Sequence, residues 1–402
     1  MPRQTGKVKI YFLFYSIIKI IARFSQLFFF RKKIVCGRSL KELKGPAIIA
    51  ANHPDSLMDA VVIGSCCTQK VYFTIRSDMF NNKLFSILLN RLNGIPVYRF
   101  SEEKDKLRRN FDTIDRCREI LKNNGIIIIF AEGQTLHDWN LKPIKSGISK
   151  IVHHAITDKD LKEKLSVLPV GLTYSDYNHP AKTIVIQSGD SFRPGLIDEQ
   201  LSSGQWKQTF NAMLFEKMAP VVPSMRSQQK EKIYAWQTVI KGLNKLHACN
   251  TIHKLHSTAG IIEQSDIIPD LSNITRQYIA KNSRHFYKSV FLFLLLLIPA
   301  IGGLLLNTLY YFPASRWAAQ KTKDSIFYDA LLCGLITITY PIYILVAAII
   351  LHLVTAIHFL IWIPLLPFTG WCTVYAYVFF LEVKNYLIIP AEEKRFLDKV
   401  TI

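Results

Sequence analysis

From residue 46 onward, short apolar runs alternate with stretches of helical period. Residues 46–52 read as a strand, 56–67 as a helix, 71–75 as a strand, 79–91 as a helix and 95–98 as a short strand. Leu107, Phe111, Ile114 and Leu121 recur on one face of a helix of about 20 residues. Gly125 then opens Ile126 to Phe130, an unbroken apolar run that suits a strand covered on both faces. A helix over 145–156 and strands over 167–174 and 183–188 complete the pattern. Alternation of this kind predicts an α/β domain with a mainly parallel sheet flanked by helices.

The pattern changes at both ends. Residues 193–280 are more polar and carry one amphipathic helix, with Ile233, Trp236, Ile240, Leu243 and Leu246 on its apolar side. They read as a helical extension leading to the membrane segment. Residues 289–312 and 326–381 are nearly continuous apolar stretches. About 20 apolar residues span a bilayer core as a helix. The first stretch fits one span, or a re-entrant hairpin if Pro299 and Gly302-Gly303 fold it back. The second fits two, with Pro341, Pro364, Pro367 and Gly370 as break points. Residues 8–30 are apolar and aromatic but interrupted by Lys9, Lys19 and Arg23, and Arg31-Lys32-Lys33 stands where a signal peptide would show a cleavage site. A helix lying in the membrane surface explains them better. The expected organisation is a membrane-associating helical segment at 1–44, a catalytic core at 45–192, the helical extension at 193–285, about three passes or hairpins at 286–385, and a tail at 386–402. Lys281, Arg284 and Lys288 precede the first span and Arg316, Lys321 and Lys323 follow it, so the positive-inside rule gives opposing orientations.

The formal net charge of +20 favours anionic partners. In a membrane-anchored chain these are anionic lipids. No zinc-finger spacing, recognition helix or RNA-binding motif is present, so nucleic acid is not expected. The seven cysteines include no CxxC, and Cys66 and Cys67 are adjacent. This is a reduced, cytosol-facing set with no metal site.

Four clusters carry candidate chemistry. The first, Asn52-His53-Pro54-Asp55-Ser56-Leu57-Met58-Asp59, follows the first strand, where α/β sheets place their ligands. A histidine there can take a proton from a hydroxyl, and a carboxylate can hold its second ring nitrogen. Six positions on one helix would turn His53 and Asp59 to different faces, so their meeting requires His53 to lie in the loop ahead of the helix. Alternatively, Ser56 and Asp59 form a capping box and His53 is a plain loop residue. The second cluster, Gly94 to Phe100, ends a short strand with Arg99, which can grip a phosphate through two parallel hydrogen bonds or sit at the surface. The third, Ala131-Glu132-Gly133-Gln134-Thr135, follows the isoleucine strand. Gly133 lets backbone approach a ligand, and Glu132 can orient a hydroxyl, pair with Arg99 or cap a helix. Lys142 and Lys145 add positive potential just beyond. The fourth, Val167-Leu168-Pro169-Val170-Gly171-Leu172, can line an acyl or pantetheine channel or serve as core strand.

In this order and spacing the four clusters resemble the glycerolipid acyltransferase family, which includes glycerol-3-phosphate and 1-acylglycerol-3-phosphate O-acyltransferases. The resemblance covers roughly residues 45–190 and implies that family's fold. It maps the catalytic His–Asp pair onto His53 and Asp59, the substrate-phosphate arginine onto Arg99, the Glu-Gly motif onto Glu132 and Gly133, and the apolar proline motif onto Pro169. Two departures stand out. Five residues separate His53 from Asp59 where the commonest first motif has four. Ala131 and Gln134-Thr135 replace the proline and the Thr-Arg or Thr-Ser that usually flank Glu-Gly.

The resemblance implies a phospholipid-synthesising enzyme at the inner, cytoplasmic membrane, with its catalytic domain facing the cytoplasm. Its acyl donor is acyl-CoA or acyl carrier protein, and its acceptor is glycerol 3-phosphate, a lysophospholipid or another hydroxylated lipid. No cofactor and no metal are implied. Arg76 and Lys145 are weaker candidates for holding the acceptor phosphate, and the backbone near Gly133 is a candidate oxyanion donor. The alternative is a catalytically idle member that binds lipid or a partner at the membrane.

Overall fold

The computed structural model describes residues 3–37, 40–98, 104–177, 181–242, 248–264, 283–322 and 327–388. Seven strands form one sheet: β1 (Phe30–Gly37), β2 (Ala47–Ala51), β3 (Val71–Arg76), β4 (Gly94–Val97), β5 (Ile126–Phe130), β6 (Ser166–Tyr174) and β7 (Lys182–Ser188). Their order is β1-β7-β6-β2-β5-β3-β4. The run from β4 to β6 is parallel. At the far edge β7 turns antiparallel to β6, and β1 runs parallel to β7. The described helices are α1 (Arg3–Phe29), α2 (Ser56–Cys66), α3 (Lys83–Arg91), α4 (Lys104–Lys122), α5 (Ser146–Ala155), α6 (Lys159–Lys164), α7 (Ser203–Met218), α8 (Lys230–Gly242), α9 (Ala248–Gln264), α10 (Ser283–Thr322), α11 (Tyr328–Thr355) and α12 (Phe359–Ile388).

The central strands read Ala-Ile-Ile-Ala-Ala and Ile-Ile-Ile-Ile-Phe because both faces of the sheet are covered. Ala47, Ile49 and Ala51 point to one side and Ile48 and Ala50 to the other. The second side is closed by α4, α5 and α7, through Leu121, Ile148, Val152, Trp206, Phe210 and Leu214. The first is closed by Met58, Val62 and Ile63 of α2, together with Ala314 and Ala318 of α10 and Leu332 and Cys333 of α11. These long apolar helices are therefore part of the sheet domain's own core.

Several expectations are corrected. The stretch 1–44 is not only helical: Phe30–Gly37 is an edge strand, because β7 offers it a parallel partner from Thr183 to Ser188. Residues 193–285 do not simply lead to the membrane. Helix α7 covers the sheet, while α8 and α9 bury Trp236, Ile240, Leu255 and Ile262 against Ile34 of β1 and Val185 of β7. Leu243 and Leu246 lie outside the described residues. The short helix α6 went unpredicted; Asp158 caps it by accepting from the N–H groups of Asp160 and Leu161.

Helix α1 uses its cations on the protein. Lys19 Nζ donates to the Cys67 carbonyl at 2.5 Å, and Arg23 donates twice to the Ser65 carbonyl at 3.1 and 2.8 Å. Lys33 Nζ reaches the Ser65 hydroxyl at 2.8 Å. The last carbonyls of α2 have no partner within their own helix and sit at its negative end, which is what attracts these charges. Ile17, Ile20, Phe24 and Leu27 of α1 stay exposed as an apolar stripe.

Three helices are long and apolar enough to cross a membrane, over Phe286–Thr322, Leu331–Thr355 and Phe359–Leu381. The hairpin reading of the first stretch fails, since α10 runs unbroken through Pro299 and Pro313. Its glycines serve packing: a Cβ on Gly303 would stand 2.1 Å from the Thr369 carbonyl of α12. The second stretch breaks at none of the foreseen prolines. It breaks at Ala356, which takes a left-handed φ of 59° and donates its N–H to the His352 carbonyl. Small residues let membrane helices approach closely where no hydrophobic gradient drives them together. Gly303→Ile, which keeps the span apolar, is expected to cost about 1–3 kcal/mol by overpacking. A lower thermal midpoint of the detergent-purified protein than for a Gly302→Ile control, whose position meets no neighbour, would register the loss.

Candidate active site

The C-terminal ends of β2, β5 and β6 converge, with Ala51 beside both Phe130 and Val170. The loop leaving β2 is clamped at once: Asn52 Nδ2 donates to the Leu172 carbonyl at 3.0 Å and its Oδ1 accepts the Leu172 N–H at 2.7 Å. His53 follows in the loop, as its spacing from Asp59 requires. Its Nδ1 lies 2.9 Å from Asp59 Oδ2. The same oxygen accepts the Asp55 N–H at 2.8 Å, and Asp59 Oδ1 accepts the Tyr174 hydroxyl at 2.7 Å. An ionised carboxylate only accepts, so this contact favours the tautomer with the His53 proton on Nδ1 and the Nε2 lone pair free to accept. The imidazole stacks on Phe130 with ring centroids 3.8 Å apart and planes 10° from parallel. Its side chain keeps 18% of its surface exposed while Asp59 is fully buried.

Burial pushes the Asp59 carboxyl above its ordinary range, and the His53 hydrogen bond pulls the other way. Burial also lifts the Tyr174 hydroxyl well above its usual value, and the nearby Asp59 and Asp55 carboxylates raise it further. Tyr174 therefore stays a donor. The capping-box alternative is met in half: Asp59 takes the Asp55 backbone N–H, but Asp55 is the N-cap residue and its side chain makes no cap bond. Ser56 sits just after it at φ 47°, in the left-handed region that favours glycine.

Glu132 is held by two backbone N–H groups. Its Oε2 accepts the His53 N–H at 3.2 Å and its Oε1 accepts the Lys142 N–H at 2.9 Å. Burial raises its carboxyl above the usual range, with these two bonds opposing the shift. It ties the loop after β5 to the His53 loop. Gly133 adopts φ 64°, and its N–H donates to the Phe130 carbonyl, so that N–H is spent in a turn and is not an oxyanion donor. A Cβ there would also press on Lys145 Cγ at 3.0 Å. Lys145 itself is exposed at the head of α5.

Arg76 ends β3 with its guanidinium forked onto exposed Asp78 at 3.1 and 2.7 Å. Pro169 lies buried in β6 beside Ala50, and a strand interior tolerates it because its carbonyl still accepts the Gly189 N–H. That is a buried strand position. Arg99 lies outside the described residues. Sequence reasoning missed Tyr174 and the buried Lys182. A tyrosine ending an apolar strand and a lysine opening one were the only signals. Among the described residues no group of three His, Cys, Asp or Glu side chains could hold a metal ion.

Residues 19–173 match the family model described as Acyltransferase. Residues 19–173 thus carry an acyltransferase-type domain. That match agrees with the acyltransferase resemblance carried by the four clusters. The matched stretch begins within α1 and includes β1, so the family domain starts before the boundary at 45 read from sequence. No curated protein matches the chain. Among solved structures it is similar to the 1-acyl-sn-glycerophosphate (LPA) acyltransferase PlsC from Thermotoga maritima. The identity is 18%, the match covers 53% of this chain and 83% of that chain, and the TM-score is 0.36.

Glu132→Gln puts an amide N–H against one of the two backbone N–H donors in this acyltransferase. A lost buried hydrogen bond of this kind costs about 1–3 kcal/mol. The variant is expected to unfold correspondingly earlier in denaturant and to lose activity, because its His53 loop is no longer pinned.

Proposed function

We propose that the enzyme moves a fatty acyl group from the thioester of acyl-CoA or acyl carrier protein to a hydroxyl of glycerol 3-phosphate or lysophosphatidate. The observation that carries this reading is the hydrogen bond between His53 Nδ1 and a fully buried Asp59. It sits at the end of a parallel sheet whose α2 face packs on apolar helices. His53 Nε2 takes the acceptor's hydroxyl proton as the oxygen attacks the thioester carbonyl. Asp59 stabilises the imidazolium that forms. The tetrahedral intermediate collapses, the C–S bond breaks, and the imidazolium returns its proton to the departing thiolate. General base assistance contributes typically about 10²- to 10⁴-fold.

The acceptor phosphate is assigned to Arg99, with Arg76 and Lys145 as further cations. Phosphate bound there would draw the Arg76 fork away from Asp78, an exposed pair worth little by itself. No metal or cofactor takes part in this scheme. The enzyme sits in the inner membrane through its three apolar helices, with the catalytic domain on the cytoplasmic side where both donors occur. Its products feed phospholipid synthesis.

Thiol release by membranes carrying the enzyme tests the reading, with palmitoyl-CoA or palmitoyl carrier protein offered against glycerol 3-phosphate, lysophosphatidate or no acceptor. Acceptor-dependent release is expected, and His53→Ala is expected to abolish it. Asp59→Asn, which holds the wrong tautomer, is expected to lower it by roughly 10³–10⁴-fold. Release that persists in His53→Ala, or that ignores the acceptor, would sink the assignment.

A further inference from the structure

Behind the His53 loop lies a buried charge cluster that acyl transfer as derived above does not use. Lys182 opens β7 with its side chain fully buried, and so is that of Asp55. Lys182 Nζ donates to Asp55 Oδ2 at 2.8 Å, to Asp329 Oδ2 at 2.7 Å and to the Tyr177 carbonyl at 3.1 Å. That satisfies all three donors of an ammonium. Asp55 belongs to the His53 loop, and its backbone N–H shares the Asp59 oxygen that holds His53. Asp329 belongs to the first turn of α11, the helix that continues into a candidate membrane span.

The arrangement is costly. Desolvating charges takes back most of what their attraction gives, and well-packed apolar residues of similar volume would join α11 to the sheet at least as stably. Two carboxylates also face one ammonium, so the trio holds one negative charge in excess when both are ionised; burial raises the Asp329 carboxyl above its ordinary range and Lys182 pulls it back. His137 Nε2 lies 3.7 Å from Asp55 Oδ1, its ring stacked on Tyr177 at 4.6 Å. Neither atom has a hydrogen-bond partner among the described residues. What the cluster supplies that an apolar contact would not is a directed link. It runs from α11 through Lys182 to Asp55, and from Asp55 through Asp59 to His53.

We propose that Lys182 is a positioning residue for acyl transfer, which holds the His53–Asp59 loop by Asp55 and locks that loop to the membrane helix α11 by Asp329. The catalytic base is then in place only when α11 is docked on the sheet. This inference rests on the reading of His53 as the base.

The test uses the full chain in membranes, with thiol release measured across pH. Lys182→Met leaves two buried carboxylates without their counter-ion. Turnover is expected to fall about 100-fold from the misplaced loop, with KM for the acceptor little changed. The acid limb of the pH–rate profile should move to higher pH, because added negative charge favours the protonated base. Asp329→Asn keeps the shape of its side chain and removes a negative charge. It should lower turnover less and move the limb to lower pH. The opposite limb movements report that both charges act on the base, and the fall in turnover at little-changed KM reports the misplaced loop. If Lys182→Met fails to accumulate, Asp329→Asn alone decides by its limb. Folded variants with wild-type turnover and limb, or with lowered turnover and unmoved limbs, overturn the proposal. His53→Ala run alongside separates the two readings. If it retains activity, the base is misassigned; if it is inactive while the cluster variants behave as wild type, only the clamp fails.

Discussion

The α2 face of the sheet is sealed by the ends of two long apolar helices, and the rest of the structure depends on that contact. Ala314 and Ala318 of α10 and Leu332 and Cys333 of α11 join Ile49, Met58, Val62 and Leu172 in one buried cluster. At 40 residues, α10 is about 60 Å long, roughly twice the thickness of a bilayer's hydrocarbon core. Its C-terminal part is therefore free to serve as a core helix of the catalytic domain. The sheet domain is built against helices long and apolar enough to cross a membrane.

That contact sets the chemistry of the site. The loop after β2 carries His53 and Asp55 at one end of the sealed face, with backbone and side chains almost completely hydrogen-bonded. Asn52 is held by Leu172, the His53 N–H by Glu132, the Asp55 N–H by Asp59, and the Asp55 side chain by Lys182. Asp59 has both oxygens occupied and is fully buried, so it has little freedom to turn away from the imidazole. An imidazole held in this way pays little reorganisation on gaining a proton. The left-handed φ of Ser56 shows that the loop is bent to meet these partners, and strain of this sort persists where the surroundings over-determine it.

The N-terminal segment shows how partners alter the meaning of a pattern. Lys19 and Arg23 look like charges interrupting an apolar anchor, yet they end on the carbonyls of α2. Neutralising that helix terminus stabilises the element that carries Asp59 in its first turn. The apolar stripe of Ile17, Ile20, Phe24 and Leu27 remains outward, so one helix both braces the site and presents a greasy face to its surroundings.

Much of this was legible in the sequence. Period-two and unbroken apolar runs located six of the seven strands, because a residue buried on a sheet must be apolar whatever its distant partners are. Apolar length disclosed the three spans for the same reason, and the His–Asp pair was visible because its members lie six positions apart on one loop and helix start. Strand β1 was hidden: Arg31-Lys32-Lys33 reads as a charged stop, and only pairing with β7 makes it a strand. The break at Ala356 was hidden among prolines that the helices absorb. The roles of Glu132, Tyr174, Lys182 and Asp329 were hidden too, since each depends on contacts 79 to 147 positions away in the chain. The sequence by itself determined which segments must be buried and where a proton can be taken. Only the tertiary structure decided which charges meet, because hydrogen bonds and ion pairs act over a few ångströms in space and leave no periodic trace along the chain.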